Sequence, residues 1–449
     1  MSKKIFIIII VALVLITIMV WGVLFLSSRK NAREQGADLT LKEFFPFGGS
    51  SFGDKQAGSQ KPPIFDDKPV IPEPEKLVLP KLRKISSFPV AGATIIKKER
   101  KIIQAPLETE EATEEDQEKE QEIKIEIIPT IRYMEKANGH IYDMYLDTND
   151  EVKIVNTTIL KIHEAFWGNS GNDVVLRYLK DNSSPKDSKQ TIETFWGELL
   201  FTENVSWGEL RGAFLSQDIK NLVLSPDKTK IFYLQEFGDE IIGTVSKLNG
   251  SSKSQVFSSQ FTEWLPQWAG DTILLTTQPS TKISGFLYAL NLKTQNFEKV
   301  FNNKLGLTTL ADPTGKQVLY SQSINEGLDL NIYNIKTSKS SGLGINTLPE
   351  KCVWSSKNTN IIYCAIPQQI ERNDYPDSWY KGLVSFSDNL WKLNIETNFF
   401  ELLANPLEIS GEPIDGTQLF LNEDENYLSF INKKDSYLWL LELEPVANL

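Results

Sequence analysis

Hydrophobic positions fall along this chain in three textures. Across residues 5–26 they are nearly continuous, and no charge interrupts them. From 28 to about 75 they are sparse and aperiodic. From about 76 onward they come in short runs separated by Gly, Pro, Asn, Asp and Ser, the pattern of short strands joined by tight turns. The first texture predicts a helix of roughly 33 Å at about 1.5 Å per residue, enough for a bilayer core. It is too long for the apolar part of a cleaved signal peptide, and no small-residue cleavage pattern follows it. Residues 1–27 are therefore expected to form a retained transmembrane signal-anchor. Lys3 and Lys4 on one side nearly balance Arg29, Lys30 and Arg33 on the other. The short leading tail favours placing everything after the helix outside the cytoplasm.

Residues 28–75 carry Gly-Gly-Ser-Ser-Phe-Gly and then Ile-Pro-Glu-Pro-Glu, which reads as a flexible stalk that stiffens where Pro accumulates. A second polar stretch holds Glu108, Glu110, Glu111, Glu114, Glu115, Asp116, Glu118, Glu120 and Glu122 against Lys119 alone. It cannot bury a core, so 104–128 is expected to be a disordered acidic insertion.

The folded texture repeats. Its clearest unit is Leu222-Val223-Leu224, Ser225-Pro226-Asp227, then Ile231-Phe232-Tyr233-Leu234. Pro presets φ and Asp can hydrogen-bond its own backbone, so the central tripeptide turns the chain between two strands. Variants recur at 166–176, 310–320, 353–363 and 421–430, with a shortened form at 267–275. A third strand follows several of them, at 286–291, 330–335, 389–394 and 437–441, and a fourth follows at 297–301. Four antiparallel strands repeated in series predict an all-β protein, a β-propeller.

One further segment occurs near both ends. Ile85-Ser86-Ser87-Phe88-Pro89-Val90-Ala91-Gly92 is echoed by Ile409-Ser410-Gly411-Glu412-Pro413-Ile414-Asp415-Gly416. Each copy is expected to lead into an innermost strand, the first at about 91–97 with its partner at 130–135. The last blade then ends one strand short. A strand within 76–85 is expected to complete it and close the ring, since an open edge invites aggregation. Unit starts near 85, 159, 213, 260, 303, 348 and 409 give seven blades; six or eight remain open because 159–212 is irregular. The propeller body is thus 76–449.

Ser225-Pro226-Asp227 with Ile231-Phe232-Tyr233 resembles the TolB-like and WD-type propeller repeat, whose usual turn is Ser-Pro-Asp-Gly-Lys; here Lys228 and Thr229 replace Gly-Lys. The region from about 80 to 449 is also similar to N-terminally membrane-anchored bacterial propeller proteins. It shares with them Pro89-Val90-Ala91-Gly92, Gly139-His140-Ile141-Tyr142 and Tyr375-Pro376-Asp377-Ser378-Trp379-Tyr380. The resemblance implies a fold and implies no activity.

Charge and chemistry narrow the functions. Lys and Arg number 47 against 59 Asp and Glu, for a net charge of −12. No basic surplus is present to neutralise phosphates, so nucleic acid is not an expected partner. Gly49-Ser50-Ser51-Phe52-Gly53 matches a nucleophile-elbow pattern but sits in the stalk, and His140 and His163 are the chain's two histidines. No catalytic residue is assigned. Two cysteines, Cys352 and Cys364, lack zinc-ligand spacing. Asp147-Thr148-Asn149-Asp150-Glu151 reads as an inter-strand turn rather than a calcium loop, lacking the Gly and distal Glu. Neither a metal nor a cofactor is expected. Cys352 and Cys364 flank a hairpin turn that places them opposite one another. They are either a cross-strand disulfide, suited to an oxidising compartment, or two buried thiols.

The long connection 367–388 is the candidate binding loop, carrying Arg372, Asp374, Tyr375, Asp377, Trp379 and Tyr380. Long loops on rigid scaffolds often bind, and Tyr, Trp and Arg anchor interfaces. The alternative is a lid that packs Tyr375 and Trp379 onto the propeller. The expected function is a membrane-tethered, non-catalytic, extracytoplasmic module that binds a protein, peptide or envelope polymer. A channel-based hydrolase or lyase, and a structural component of an envelope assembly, remain as alternatives.

Overall fold

The strands alternate direction around a ring of seven four-stranded antiparallel sheets. The computed structural model describes residues 79–103, 123–180, 191–201 and 207–443. The expected anchor (1–27) and stalk (28–75) lie outside the described residues. Among the described residues, no helix is long and apolar enough to cross a membrane.

The first strand, β1 (Leu82–Lys84), belongs to the last blade. Blade 1 follows with β2 (Val90–Ile103), β3 (Ile123–Glu135), β4 (Ile141–Tyr145) and β5 (Glu151–Val155). Blade 2 is β6 (Ile162–Trp167), β7 (Asp173–Lys180), β8 (Thr191–Leu200) and β9 (Glu209–Phe214), and blade 3 is β10 (Ile219–Leu224), β11 (Lys230–Phe237), β12 (Glu240–Lys247) and β13 (Ser254–Ser259). Blade 4 comprises β14 (Trp264–Ala269), β15 (Thr272–Thr277), β16 (Ser284–Asn291) and β17 (Phe297–Leu305). Blade 5 has β18 (Thr308–Ala311), β19 (Gln317–Ile324), β20 (Gly327–Asn334) and β21 (Lys339–Gly342). Blade 6 is β22 (Cys352–Trp354), β23 (Ile361–Pro367), β24 (Asp388–Asn394) and β25 (Phe399–Ala404). Blade 7 has β26 (Gly416–Leu421), β27 (Tyr427–Asn432) and β28 (Leu438–Glu442). Its fourth place is filled by β1, with Leu82 opposite Leu441 and Lys84 opposite Trp439. The closing strand expected within 76–85 is therefore present.

Burial grades outward and explains the sequence texture. Ile231, Phe232, Tyr233 and Leu234 in β11 are all buried, as is every residue of β27, because neighbouring blades cover both faces of a second strand. Outer strands face water: all four residues of β21 are exposed. Continuous apolar runs therefore mark second strands, and fourth strands leave almost no hydrophobic signal.

Each blade-to-blade seam is clipped by a polar contact. Arg132 Nη1 donates to Gly171 O across blades 1 and 2, and Arg177 Nη2 donates to Ile219 O across blades 2 and 3. Asn221 reaches Trp264 O, Gln267 reaches Thr309 O, and Trp354 reaches Leu310 O at the next three seams. Glu425 accepts from Ser356 and Lys357 N–H between blades 6 and 7, and Arg83 Nη2 donates to Leu146 O where blade 7 meets blade 1. Each such bond contributes about 1 kcal/mol net, more where charge assists.

The repeated segment at 85 and 409 keeps its Gly for one reason and loses its Ile for another. Gly92 opens β2 where a Cβ would stand 2.0 Å from Ala165 O, so blade 2 requires hydrogen there. Gly416 likewise opens β26, against Ala365 of blade 6. Ile85 is buried at 2% exposure, whereas Ile409 sits on the one-turn helix Pro406–Ser410 and is 55% exposed. The two copies share a position in their blades but not the role of every side chain.

The acidic insertion is narrower than expected. Lys98 pairs with Ile128 and the ladder continues to Ile103 opposite Ile123, so 123–128 is strand. Ile125, Ile127 and Ile128 supply the alternating β-prone positions that the acidic composition masked. Residues 104–122 lie outside the described residues.

Candidate functional site

Strand alternation gives the propeller two unlike faces. Connections from strand 2 to strand 3, and from blade to blade, meet at the upper face; turns from strand 1 to strand 2 meet at the lower face.

On the upper face, residues 367–388 form a cap. A one-turn helix, Asp377–Tyr380, follows a cis Tyr375–Pro376 bond. Tyr375 is fully buried and Trp379 is 3% exposed, packed with Leu328, Leu348 and Phe386. Tyr375 O accepts from Thr281 Oγ1 and from Ser323 Oγ, fastening the cap to blades 4 and 5. Asp377 Oδ2 accepts from Thr281 N and Oγ1, both at 2.6 Å. Burial works to raise its pKa, and those hydrogen bonds outweigh burial and lower it. Asp374 pairs with Lys282, and Lys433 Nζ on blade 7 donates to Trp379 O. Of the six residues expected to bind, Tyr375, Asp377 and Trp379 hold the cap down. Arg372 and Asp374 are exposed, and Tyr380 exposes 36% of its surface. The lid alternative describes Tyr375 and Trp379.

Beneath the cap lies a charge cluster that the sequence reading did not single out. Lys351 Nζ donates to Asp388 Oδ2 at 2.7 Å, Asp415 Oδ1 at 2.5 Å and Gly416 O at 3.0 Å. All three charged side chains are 0% exposed. Asp415 Oδ2 also accepts from Trp379 Nε1, Ser385 Oγ and Phe386 N, while Asp388 Oδ2 accepts from Gly416 N. The Trp379 and Phe386 rings flank the ammonium at 5.4 and 5.2 Å. Burial and the nearby Asp415 charge push Asp388 up to about 6 against the pull of Lys351. Burial would raise Asp415 too, but Lys351 and the hydrogen bonds hold it below its ordinary value. Nearby, the Tyr380 hydroxyl donates to Glu350, whose carboxyl is raised by burial. The one sequence cue was Asp415, charged where the first copy of the repeated segment has Ala91.

Cys352 and Cys364 face each other across β22 and β23 and form a disulfide, with Cα atoms 4.1 Å apart. The Asp147–Glu151 segment is the turn from β4 to β5. Asp147 pairs with Arg100, Thr148 bonds Asp150, and Glu151 accepts from Ser87 and Tyr133. Among the described residues, no group of three or more His, Cys, Asp or Glu is placed to hold a metal.

The lower face is open. A cavity of about 890 Å³ occupies the mouth of the ring, walled by Ile95 and Lys97 of blade 1, Asn169 and Ser170 of blade 2, Lys228 of blade 3, Trp354 of blade 6, and Phe420 and Glu423 of blade 7. A side cleft of about 320 Å³ shares Asn169, Ser170 and Lys228 with it and runs toward Trp196 and Asn249 between blades 2 and 3. A volume near 890 Å³ suits a drug-sized ligand or a short peptide segment.

No protein-family model matches the chain, and no curated protein matches it. Among solved structures, the chain is similar to an oligogalacturonate lyase from Vibrio parahaemolyticus, at 9% identity and TM-score 0.45, covering 79% of this chain and 98% of that one. It is similar to TolB from Acinetobacter baumannii at 12% identity and TM-score 0.36, covering 70% and 77%. It is also similar to the β-propeller domain of the Trilobed protease from Pyrococcus furiosus, at 11% identity and TM-score 0.41, covering 64% and 85%.

Proposed function

We propose that this chain is a non-catalytic binding propeller, tethered to a membrane through residues 1–27 and displayed outside the cytoplasm, where it holds a protein, peptide or envelope-polymer partner. The observation that carries this reading is the contrast between the two faces. The cap turns Tyr375 and Trp379 inward, so two of the aromatic side chains expected to anchor a partner are spent on the fold, and Tyr380 is the cap aromatic left exposed. The lower mouth offers a concave space of about 890 Å³ in which apolar side chains such as Ile95, Trp354 and Phe420 alternate with polar and charged ones such as Asn169, Lys228 and Glu423, a size that suits a ligand site. The Cys352–Cys364 disulfide is in keeping with an oxidising compartment.

A second reading, a channel enzyme, is favoured by one observation. Glu350 Oε2 is buried without a hydrogen-bond partner and the carboxyl is raised, as a general acid requires. Against it, Glu350 is tied to Tyr380 of the cap, on the face away from the open mouth.

A photo-crosslinking amino acid at Pro226 or Glu423 on the mouth, or at Leu383 on the cap, tests the choice in the full chain in native membranes. Partner adducts are expected from the mouth positions. Adducts from Leu383 alone, or none from either mouth position, would overturn the proposal.

A further inference from the structure

Four turns from first to second strands on the lower face share one geometry. In each, the N–H of the fourth residue donates to the carbonyl of the first: Gly171 to Gly168, Lys228 to Ser225, Gly315 to Asp312 and Glu425 to Asn422. That fourth residue is left-handed every time, with φ of 68°, 53°, 70° and 55° respectively. Glycine adopts this conformation freely, whereas a side chain carries a steric penalty. Two blades accept the penalty. Glu425 has an evident reason, since its carboxylate takes four hydrogen bonds from Ser355, Ser356 and Lys357 and clips blade 6 to blade 7.

Lys228 has no such reason within the fold. Its ammonium makes no hydrogen bond or ion pair with any described residue, and it projects where the mouth and the side cleft join. The surrounding protein desolvates it enough to lower its pKa although the site is open to solvent. The neighbouring charges are spoken for. Lys97 pairs with Glu423 at 3.0 Å and Asp424 at 3.2 Å, and Asp227 folds back onto Ser225 and Thr229. Asp173 in the side cleft accepts from Trp196 Nε1, and Lys247 there adds a second cation. Asn422 donates to Asn426 Oδ1 and accepts from Asn426 N, and Ser356 donates to Glu425, within the seam of blades 6 and 7. Asn169, beside Lys228 in both spaces, likewise makes no side-chain hydrogen bond to a described residue. On the side of the mouth formed by blades 2 and 3, the Lys228 ammonium, the Asn169 amide and the Ser170 hydroxyl have no acceptor among the described residues. Across from them, Ile95, Val353, Trp354, Phe420 and Leu421 present apolar surface.

We propose that Lys228 and Asn169 form a carboxylate-binding site for a ligand that carries a terminal carboxylate on an apolar body, and that the C-terminal end of a peptide is its natural form. The ammonium supplies the counter-charge and the Asn169 amide a second donor, a pairing that discriminates a carboxylate from a neutral amide. The apolar wall takes the side chains behind it. The proposal rests on the binding-propeller reading and names the ligand chemistry of that same mouth.

Calorimetry on the full chain in detergent would use three probes: the free acid of N-acetyl-Ala-Leu-Phe, its C-terminal amide, and hexanoate. Lys228→Gly is the informative variant because the turn already has the glycine conformation, so the fold is preserved; Asn169→Ala is its companion. The free acid should saturate, the amide should bind at least about tenfold more weakly, and Lys228→Gly should weaken the acid by about tenfold or more, as expected for loss of a charge-assisted bond. Hexanoate binding with the same Lys228 dependence would make small apolar acids the source; binding by the peptide acid alone would make it the peptide terminus. Equal binding of acid and amide, unchanged binding by Lys228→Gly, or no binding of any probe up to about 10 mM overturns the carboxylate site. If crosslinks from Pro226 and Glu423 survive in Lys228→Gly, the binding propeller stands and only its ligand chemistry fails. If those crosslinks are missing in the unsubstituted chain, the binding reading itself fails.

Discussion

Removing Lys351 should be among the most damaging single changes to this propeller, and its damage should depend on pH in a defined direction. The ammonium is fully buried and lies within 2.7 Å of both Asp388 and Asp415. Lys351→Met keeps much of the stem volume but leaves two buried carboxylates facing one another. Breaking one partner of a buried pair costs about 3–5 kcal/mol, a large share of the roughly 5–15 kcal/mol that holds a typical domain. The pH dependence follows from Asp388. Its pKa rises from 3.8 to about 6 on folding, because burial and Asp415 oppose its charge more than Lys351 favours it. The folded protein therefore holds that proton more tightly than the unfolded chain, so Asp388 lowers stability as pH rises from about 4 to about 6. Asp415 has the opposite sign. Its lowered pKa gives stability above 3.8 that is lost only as pH falls through the folded value. Without Lys351, both carboxyls titrate higher and the neutral-pH penalty deepens. Urea unfolding followed by tryptophan fluorescence should show Lys351→Met losing about 3–5 kcal/mol near pH 7 and clearly less near pH 5. Lys351→Met with Asp388→Asn should recover part of the neutral-pH loss. A loss under about 1 kcal/mol, or an equal loss at both pH values, would refute the account of the cluster.

Other consequences are simpler to measure. Lys228→Gly should raise stability by about 1 kcal/mol by removing the left-handed penalty at φ 53°, seen as a higher urea midpoint, even as it removes the ammonium from the mouth. Replacing Cys352 and Cys364 together with Ala should cost about 2–3 kcal/mol, in line with the short loop that the disulfide closes, and thiol titration of the protein should find no free sulfhydryl before reduction. A chain lacking β1 (Leu82–Lys84) leaves the edge of β28 unpaired, and size-exclusion chromatography should then show self-association absent from the intact chain.

The legible part of this fold is the part that burial wrote into local sequence. Second strands such as β11 and β27 lie between two blades, so they must be apolar on both faces and stand out as continuous runs. Outer strands such as β17 and β21 are largely exposed and constrained mostly by backbone pairing, which any polar sequence can supply. The irregularity at 159–212 is one such case. Blade 2 is complete, but its outer strand β9 exposes five of its six residues, including Phe214, so its sequence pattern does not alternate. The Lys351–Asp388–Asp415 cluster was illegible for another reason. Its members lie on the connection into blade 6, at the start of β24 and just before β26, and no spacing rule links a charge at 351 to charges at 388 and 415. Trp379 stayed open between anchor and lid because both need the same side chain; its burial and its bond to Asp415 appear only in three dimensions.

Lys228 shows the reverse case, in which local sequence carried more information than the fold needed. The departure from Ser-Pro-Asp-Gly is visible in the sequence, and on sequence alone it is merely a degenerate repeat. Geometry gives it meaning by supplying the comparison. Four turns with the same hydrogen bond and the same left-handed residue isolate the effect of the side chain. Where the side chain is Glu425, it holds two blades together and stability accounts for it. Where it is Lys228, the conformation is unfavourable and the ammonium has no partner among the described residues. Unfavourable backbone conformations that persist without a structural return concentrate at functional sites. The same turn thus serves assembly in blade 7 and, on our reading, recognition in blade 3. The Lys228→Gly variant separates the two roles, since assembly predicts lower stability and recognition predicts higher stability with weaker binding.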